Sequence, residues 1–293
     1  MSRTRVGSAV AVVMLVAGAA GCGGTGDTAD AAGSPSSGPE KTDDSRVVRA
    51  AYDRTRAADT AKLTVSTKAV ADGQSVTAQG TGAVDLAKGD SRMTLVSQGS
   101  RIEQRVVDGI VYQKPPAGQR GPLPEGKTWM KIDPARLARS GSGDARASDP
   151  VEPFGYVEKL GSGKVTRIGT RTLNGTRTTH YRVNIDVSTL ARGDSGQARE
   201  LRRQLGTSSV PVDLWLDEKG RLRQETVRLA LRPLRDSSPT DREDTRVTST
   251  TTLRFDDFGT RVNVEPPPSA QTADVTAELS DAATSSQQSP QAG

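Results

Sequence analysis

The residue types that could act as a nucleophile and a base are scarce in this chain. Ser195 stands in a Gly-Asp-Ser-Gly string, and the single histidine, His180, comes 15 residues earlier on a segment that reads as a strand. Serine hydrolysis needs a histidine that is oriented by a buried carboxylate, and this short spacing is not typical of that arrangement. Residues 161–164 (GSGK) lack the following Ser or Thr and the earlier glycine of a phosphate-binding loop. We therefore expect no catalytic residues and no enzyme activity.

Ligands for a metal or a cofactor are equally scarce. Cys22 is the one cysteine and His180 the one histidine among 293 residues. Structural zinc, haem and iron–sulfur sites usually need several such ligands, so we expect no metal site and no cofactor. The formal net charge is +5, but basic and acidic residues alternate along most of the chain. Because no basic stripe with interleaved aromatic residues is present, we expect no nucleic-acid partner.

The residues before Cys22 suggest a role for the lone thiol. Arg3 and Arg5 precede an uncharged run over residues 6–20, and small residues then lead to the cysteine. This order is that of a secretory signal, and the run is shorter than the ~20 apolar residues of an ordinary membrane-spanning helix. Residues 19–22 (AAGC) resemble the bacterial lipobox.

The lipobox resemblance implies how the chain is processed. Residues 1–21 would be a signal peptide cut just before Cys22, whose sulfur would carry a diacylglyceryl group and whose new amino group can take a further fatty acid such as palmitate. Each buried methylene contributes ~0.8 kcal/mol, so two or more chains give stable anchoring. The expected location is therefore the extracytoplasmic face of the cell membrane. The alternative is an ordinary secreted protein that is cut nearby, with Cys22 left as an unpaired thiol.

Both ends of the mature chain have the composition of unfolded segments. Residues 22–44 hold no large apolar side chain after the cysteine, and we expect a disordered tether that spans ~25 Å. Residues 269–293 contain no aromatic residue, Lys or Arg, and we expect a disordered tail there. The folded part is then residues 45–268. A segment of this length is typical of a single domain, so we expect one domain.

The hydrophobic pattern of residues 45–268 is mainly that of antiparallel strands. Apolar and polar residues alternate over many short segments, and Asp108-Gly109 and Asn174-Gly175 mark tight hairpin turns. One-sided alternation indicates that one face of the sheet is buried, and a sheet of about ten strands should curl. We predict an α+β fold in which a large curved antiparallel sheet, a half-barrel, carries helices on its concave face. Helical stripes occur over residues 45–60, 151–160 and 197–205.

The order of these elements resembles a known family. Residues 129–131 (WMK), 180–183 (HYRV) and 211–217 (PVDLWLD) follow a lipobox, a polar tether, a helix and a meander of strands. This arrangement is similar to that of the actinobacterial lipoproteins of the LppX/LprG type, over roughly residues 45–265. Those proteins share the half-barrel of the lipoprotein carriers LolA and LolB and of the sensor RseB. The resemblance implies the half-barrel fold and a lipid or lipid-linked ligand.

The leading functional hypothesis is a non-enzymatic protein that binds or carries a lipid or other hydrophobic ligand in the half-barrel. Periodicity alone indicates only an apolar face, and the alternative for each candidate residue is a place in the core. Trp215 alternates with two of the candidates and is expected on the opposite face. The residues that we expect to line the ligand are Val183, Ile185, Leu214, Leu216, Val227 and Leu229.

Two other functions remain open. A sensor or scaffold subunit of the RseB kind would use its outer face to bind a membrane or envelope protein, whose identity the sequence does not give. Hydrolysis at the cell surface is the third hypothesis, and it lacks a credible nucleophile–base pair.

Overall fold

The fold is seen in a computed structural model, which describes residues 44–71, 73–119, 123–139, 157, 160, 164–191, 195–231 and 247–287. Cys22, the signal peptide and the tether lie outside the described residues. So does nearly all of the helix predicted over residues 151–160, from which only Val157 and Leu160 are described.

The described residues form five α-helices and twelve strands. The helices are α1 (Asp44–Arg56), α2 (Pro134–Arg139), α3 (Val187–Leu190), α4 (Ser195–Leu205) and α5 (Thr276–Gln287). The first six strands are β1 (Thr60–Ala71), β2 (Gln74–Asp85), β3 (Ser91–Ser97), β4 (Ser100–Val107), β5 (Ile110–Lys114) and β6 (Trp129–Ile132). The other six are β7 (Val165–Leu173), β8 (Thr176–Asp186), β9 (Ser209–Asp217), β10 (Leu222–Leu231), β11 (Val247–Asp256) and β12 (Thr272–Asp274).

All of these strands belong to one open sheet. Its order is β12-β6-β5-β4-β3-β2-β1-β11-β10-β9-β8-β7, so the ladder of β1 with β11 joins the early strands to the late ones. Neighbouring strands run antiparallel, except that β12 lies parallel to β6. The two outermost strands, β7 and β12, are not paired to each other. The α+β fold with a large half-barrel sheet is therefore confirmed.

Two tight turns form where the sequence predicts them. Asp108 and Gly109 have φ angles of 51° and 76°, and Asn174 and Gly175 have 46° and 77°. Two successive left-handed residues are what a two-residue hairpin requires, because this turn follows the twist of the flanking strands. These turns fix the registers of β4 with β5 and of β7 with β8.

One face of the sheet, here called the core face, packs against helices. Val48 and Ala51 of α1 are fully buried in one cluster with strand residues such as Leu63 and Phe255. The Thr55 hydroxyl donates to the Ala51 carbonyl at 2.6 Å and accepts from the Leu222 amide at 2.9 Å, which ties the end of α1 to β10. Leu201 and Leu205 of α4 pack against the same cluster.

A glycine in β2 allows its backbone to approach the backbone of β3 closely. A Cβ atom on Gly82 would overlap the carbonyl oxygen of Arg92 on the neighbouring strand, and backbone atoms cannot move aside as a side chain can. Glycine inside a strand often marks a tight bend or a close backbone approach. We conclude that Gly82 is required for the close contact of β2 with β3.

The fold continues beyond residue 268, where the sequence led us to expect a disordered tail. The Thr128 amide donates to the Gln271 carbonyl at 2.9 Å, and the Val275 amide donates to the Lys131 carbonyl at 3.0 Å. These bonds place β12 alongside β6, and α5 follows and packs near α2. The physical reason is that β6 would otherwise be an edge strand with unpaired backbone groups.

Candidate functional site

The strand registers bring the six predicted lining residues to the core face. Cross-strand partners lie on the same side of a sheet, and Val183 opposes Val212, which in turn opposes Val227. Four of the six belong to the buried cluster with α1, and each is at most 2% exposed. These four are Val183, Ile185, Leu214 and Leu216. Val227 and Leu229 are half-buried at the edge of that cluster.

Half-buried apolar side chains continue the core face beyond the buried cluster. Val65 opposes Leu253 on β11 and Gly80 on β2, which in turn opposes Leu95 on β3. A Cβ atom on Gly80 would lie 2.7 Å from Leu95 Cδ2, so the neighbouring side chains cover this glycine. We name this set the apolar patch: Val65, Met93, Leu95, Val227, Leu229 and Leu253.

A carboxyl group is also buried on the core face. Glu225 is 4% exposed and lies in register between Leu214 on β9 and Leu253 on β11. The sequence analysis did not identify Glu225. The available signal was that this charged residue lies in the same alternating series as Val227 and Leu229, which were expected to face inward. The core face is therefore not entirely apolar, because it contains one buried carboxyl group between two leucines.

The opposite side of the sheet, here called the outer face, holds a polar cluster around Asp213. This side chain is 6% exposed and is hydrogen-bonded to His180 Nε2 at 2.9 Å. It also accepts from Arg182 Nε at 3.0 Å and from an Arg228 guanidinium nitrogen at 2.6 Å. The two strands that flank β9 thus bring a histidine and two arginines to one carboxylate.

The hydrogen bonds to Asp213 set its protonation. Burial by itself raises the pKa of this carboxyl group, but the hydrogen bonds from His180, Arg228 and Arg182 outweigh that effect. The pKa of Asp213 consequently lies below its ordinary value of 3.8, and the group is an anion at neutral pH.

An aromatic stack extends this cluster. The His180 and Trp215 rings lie parallel with centroids 4.4 Å apart, and the Arg171 guanidinium lies 5.6 Å from the centre of the Trp215 ring. Trp215 stands on the outer face, opposite in direction to Leu214, and is 4% exposed because these neighbours cover it. Sequence reasoning separated Trp215 from the apolar face but did not find the partners that bury it.

Two features are absent from the part of the chain that the structure describes: a cluster of metal ligands and a membrane-spanning helix. No group of three or more His, Cys, Asp and Glu side chains in the described ranges could hold a metal ion. No helix among the same residues is long and apolar enough to cross a membrane.

Comparisons with known proteins give distant likenesses. No protein-family profile matches the chain. An uncharacterized 31.2 kDa protein from the rplA–rplJ intergenic region of Streptomyces griseus is 27% identical over 161 residues, which is 51% of this chain. The match spans about half of that relative, 48% of its length.

Two solved structures are also similar. The lipoprotein LppX of Mycobacterium tuberculosis is 15% identical, with a TM-score of 0.43 and coverage of 75% of this chain and 99% of LppX. LprF of Mycobacterium bovis is 13% identical, with a TM-score of 0.39 and coverage of 76% and 96%. The resemblance to LppX/LprG-type lipoproteins is thus found again among solved structures. Because both TM-scores are low, the fold is assigned from the sheet order and packing of this chain. A function must likewise be argued from the residues of this chain.

Proposed function

We propose that this protein is an extracytoplasmic lipoprotein, anchored through an acylated Cys22, that binds a lipid or another hydrophobic ligand on its core face. It acts by binding and performs no chemistry. The observation that carries the proposal is the apolar patch, in which half-buried side chains continue the buried cluster along one face of an open sheet.

The free energy gained when a ligand is buried on the apolar patch sets a minimum size for that ligand. Each methylene taken out of water contributes ~0.8 kcal/mol, whereas association costs about 4–15 kcal/mol before any net affinity appears. A ligand with only a few methylenes cannot offset that cost. The proposal therefore favours molecules with at least one acyl chain of roughly ten carbons.

The division of the predicted lining residues supports the same site. Leu214 and its buried neighbours belong to one buried cluster with residues of α1, so their contacts are already made inside the protein. Val227 and Leu229 are half-buried and can gain apolar contact from a ligand. We assign ligand contact to the apolar patch and a structural role to the four buried residues.

Native mass spectrometry of the Cys22→Ala protein tests this proposal, since removing the anchor keeps the covalent lipid from obscuring a bound one. The protein should carry an adduct of lipid mass, either from the cell or after incubation with a long-chain fatty acid. In Leu253→Gln the dissociation constant for the fatty acid should rise about tenfold, because the ligand must desolvate an amide.

Thr248→Gln is the matched control, because Thr248 lies on the same strand, is exposed and faces the outer side. It should bind lipid as the parent does. No adduct under either condition, or equal loss in both variants, would contradict a ligand site at the apolar patch.

A further inference from the structure

A cleft lies on the outer face of the sheet, on the side opposite to the apolar patch. It has a volume of about 210 Å³, and its lining includes Arg171, Asn174, Arg223, Gln224, Arg254 and Asp256. We propose that this cleft, here called the arginine cleft, binds an anionic group of the phosphate class. The proposal is independent of the ligand on the core face.

The arginine cleft has an excess of positive charge. Arg223 donates to Asp256 at 3.0 Å, so this pair is neutralised internally. Arg171 and Arg254 have no carboxylate within ion-pair distance among the described residues. Two exposed guanidinium groups therefore face one small cleft without a counter-charge from that part of the chain.

Hydrogen bonds hold Arg254 in place. Its Nε donates to Gln224 Oε1 at 2.8 Å, while the Gln224 amide nitrogen donates to Thr226 Oγ1 at 3.2 Å. Gln224 is 7% exposed, which fixes the position of the amide. The terminal nitrogens of Arg254 take no part in these bonds and remain available as donors.

Arg171 is positioned from the other side by the aromatic stack. Its guanidinium lies over Trp215, whose other neighbour is the His180 ring, and His180 is itself hydrogen-bonded to the buried Asp213. Stacking on an aromatic ring orders a guanidinium group while leaving its N–H edge free to donate. The cleft thus has one ordered arginine from β7 and another from β11.

The chemistry of two such groups selects the class of ligand. A phosphate offers several oxygens on one atom and can accept from donors that approach from different sides. The lining also supplies the neutral side-chain amide of Asn174, which suits a remaining oxygen. A soluble phosphate ester and a phospholipid headgroup both present this group, and the test below distinguishes them.

Isothermal titration calorimetry of the full mature chain with inorganic phosphate is the first test, at constant ionic strength so that screening does not change. We expect saturable binding that weakens at least tenfold in Arg171→Gln and in Arg254→Gln, because each removes charged hydrogen bonds. Arg101→Gln is the control, since it removes an exposed charge from β4 outside the cleft. It should bind phosphate as the wild type does.

The second test is co-sedimentation with phosphatidylcholine vesicles that contain or lack phosphatidic acid, using the Cys22→Ala protein so that the anchor does not contribute. Phosphate binding in solution assigns the cleft to soluble phosphate compounds, whereas binding only to phosphatidic acid vesicles assigns it to lipid headgroups. In either case the binding should be lost in the double variant of Arg171 and Arg254. If neither probe binds, or if binding persists in the double variant, the proposal is overturned.

The two proposals can fail separately. Leu253→Gln on the core face should leave phosphate binding unchanged, and the arginine variants should leave the adduct with a long-chain fatty acid unchanged. The strands place these residues on opposite sides of the sheet.

Discussion

The outer-face cluster makes a stability prediction that can be worked out from its geometry. Asp213→Asn replaces the buried carboxylate with a neutral amide of the same shape, so that His180, Arg182 and Arg228 lose their common anion. Breaking a fully buried ion pair costs about 3–5 kcal/mol. The side chains of Arg182 and Arg228 are 47% and 59% exposed, so both can turn to water and recover part of that cost.

We therefore expect the free energy of unfolding to fall by about 2 kcal/mol, the contribution of roughly one charged hydrogen bond. For a domain of this size, that loss lowers the melting temperature by about 4–8 °C. The measurement is thermal and urea unfolding at neutral pH. Asp257→Asn is the control, because the exposed Lys62–Asp257 ion pair should contribute little.

The pH dependence gives a second readout of the same variant. Because the pKa of Asp213 is lowered in the folded state, its stabilisation is fully present above the ordinary value of 3.8 and is lost as the pH falls through the folded pKa. The stability difference between wild type and Asp213→Asn should therefore shrink below pH 3.8. An Asp213→Asn protein that melts with the wild type at neutral pH would refute this reasoning.

Three further predictions concern the core, the sheet and the anchor. Leu214→Ala should lower the free energy of unfolding by about 3 kcal/mol in urea titrations, because the residue is fully buried and leaves a cavity; a change near zero would mean that the core face is not packed there. Gly82→Ala should destabilise the protein by about 2 kcal/mol through overlap with the neighbouring backbone, whereas Gly169→Ala, with open space around its Cβ position, should be neutral in the same thermal assay. Cys22→Ala should abolish incorporation of a labelled palmitate and release the protein from the membrane fraction; continued labelling would place the lipid elsewhere.

Local sequence patterns are sufficient to predict most of the strands and two of their tight turns. The alternation of apolar and polar residues can be recognised within a short segment of the sequence. The Asp108-Gly109 and Asn174-Gly175 turns can be recognised because these residue types favour the left-handed conformation that a tight hairpin needs. The same pattern does not predict which apolar residues lie in the buried core. Val183 and Val227 alternate in the same way, yet only Val183 is fully buried, because the placement of helices against the sheet decides burial.

Contacts between distant parts of the chain could not be predicted in this way. Thr60 Oγ1 donates to the Thr260 carbonyl at 2.7 Å, at the place where β1 meets the end of β11, and no local signal marks such a pair. β12 has three residues, too few for a period to be recognised, and it forms because β6 offers an edge. Asp213 lies on an alternating strand where it reads as an ordinary outward residue, and its partners come from two other strands.

Photo-crosslinking with a diazirine fatty acid tests the central claim most directly, because it maps where an apolar ligand lies on the protein. We predict that the labelled residues fall on the inward positions of β1, β3, β10 and β11, and that an excess of unlabelled fatty acid competes the labelling away. Labelling that is confined to the outer face, or that resists competition, would contradict a ligand site on the core face of the sheet.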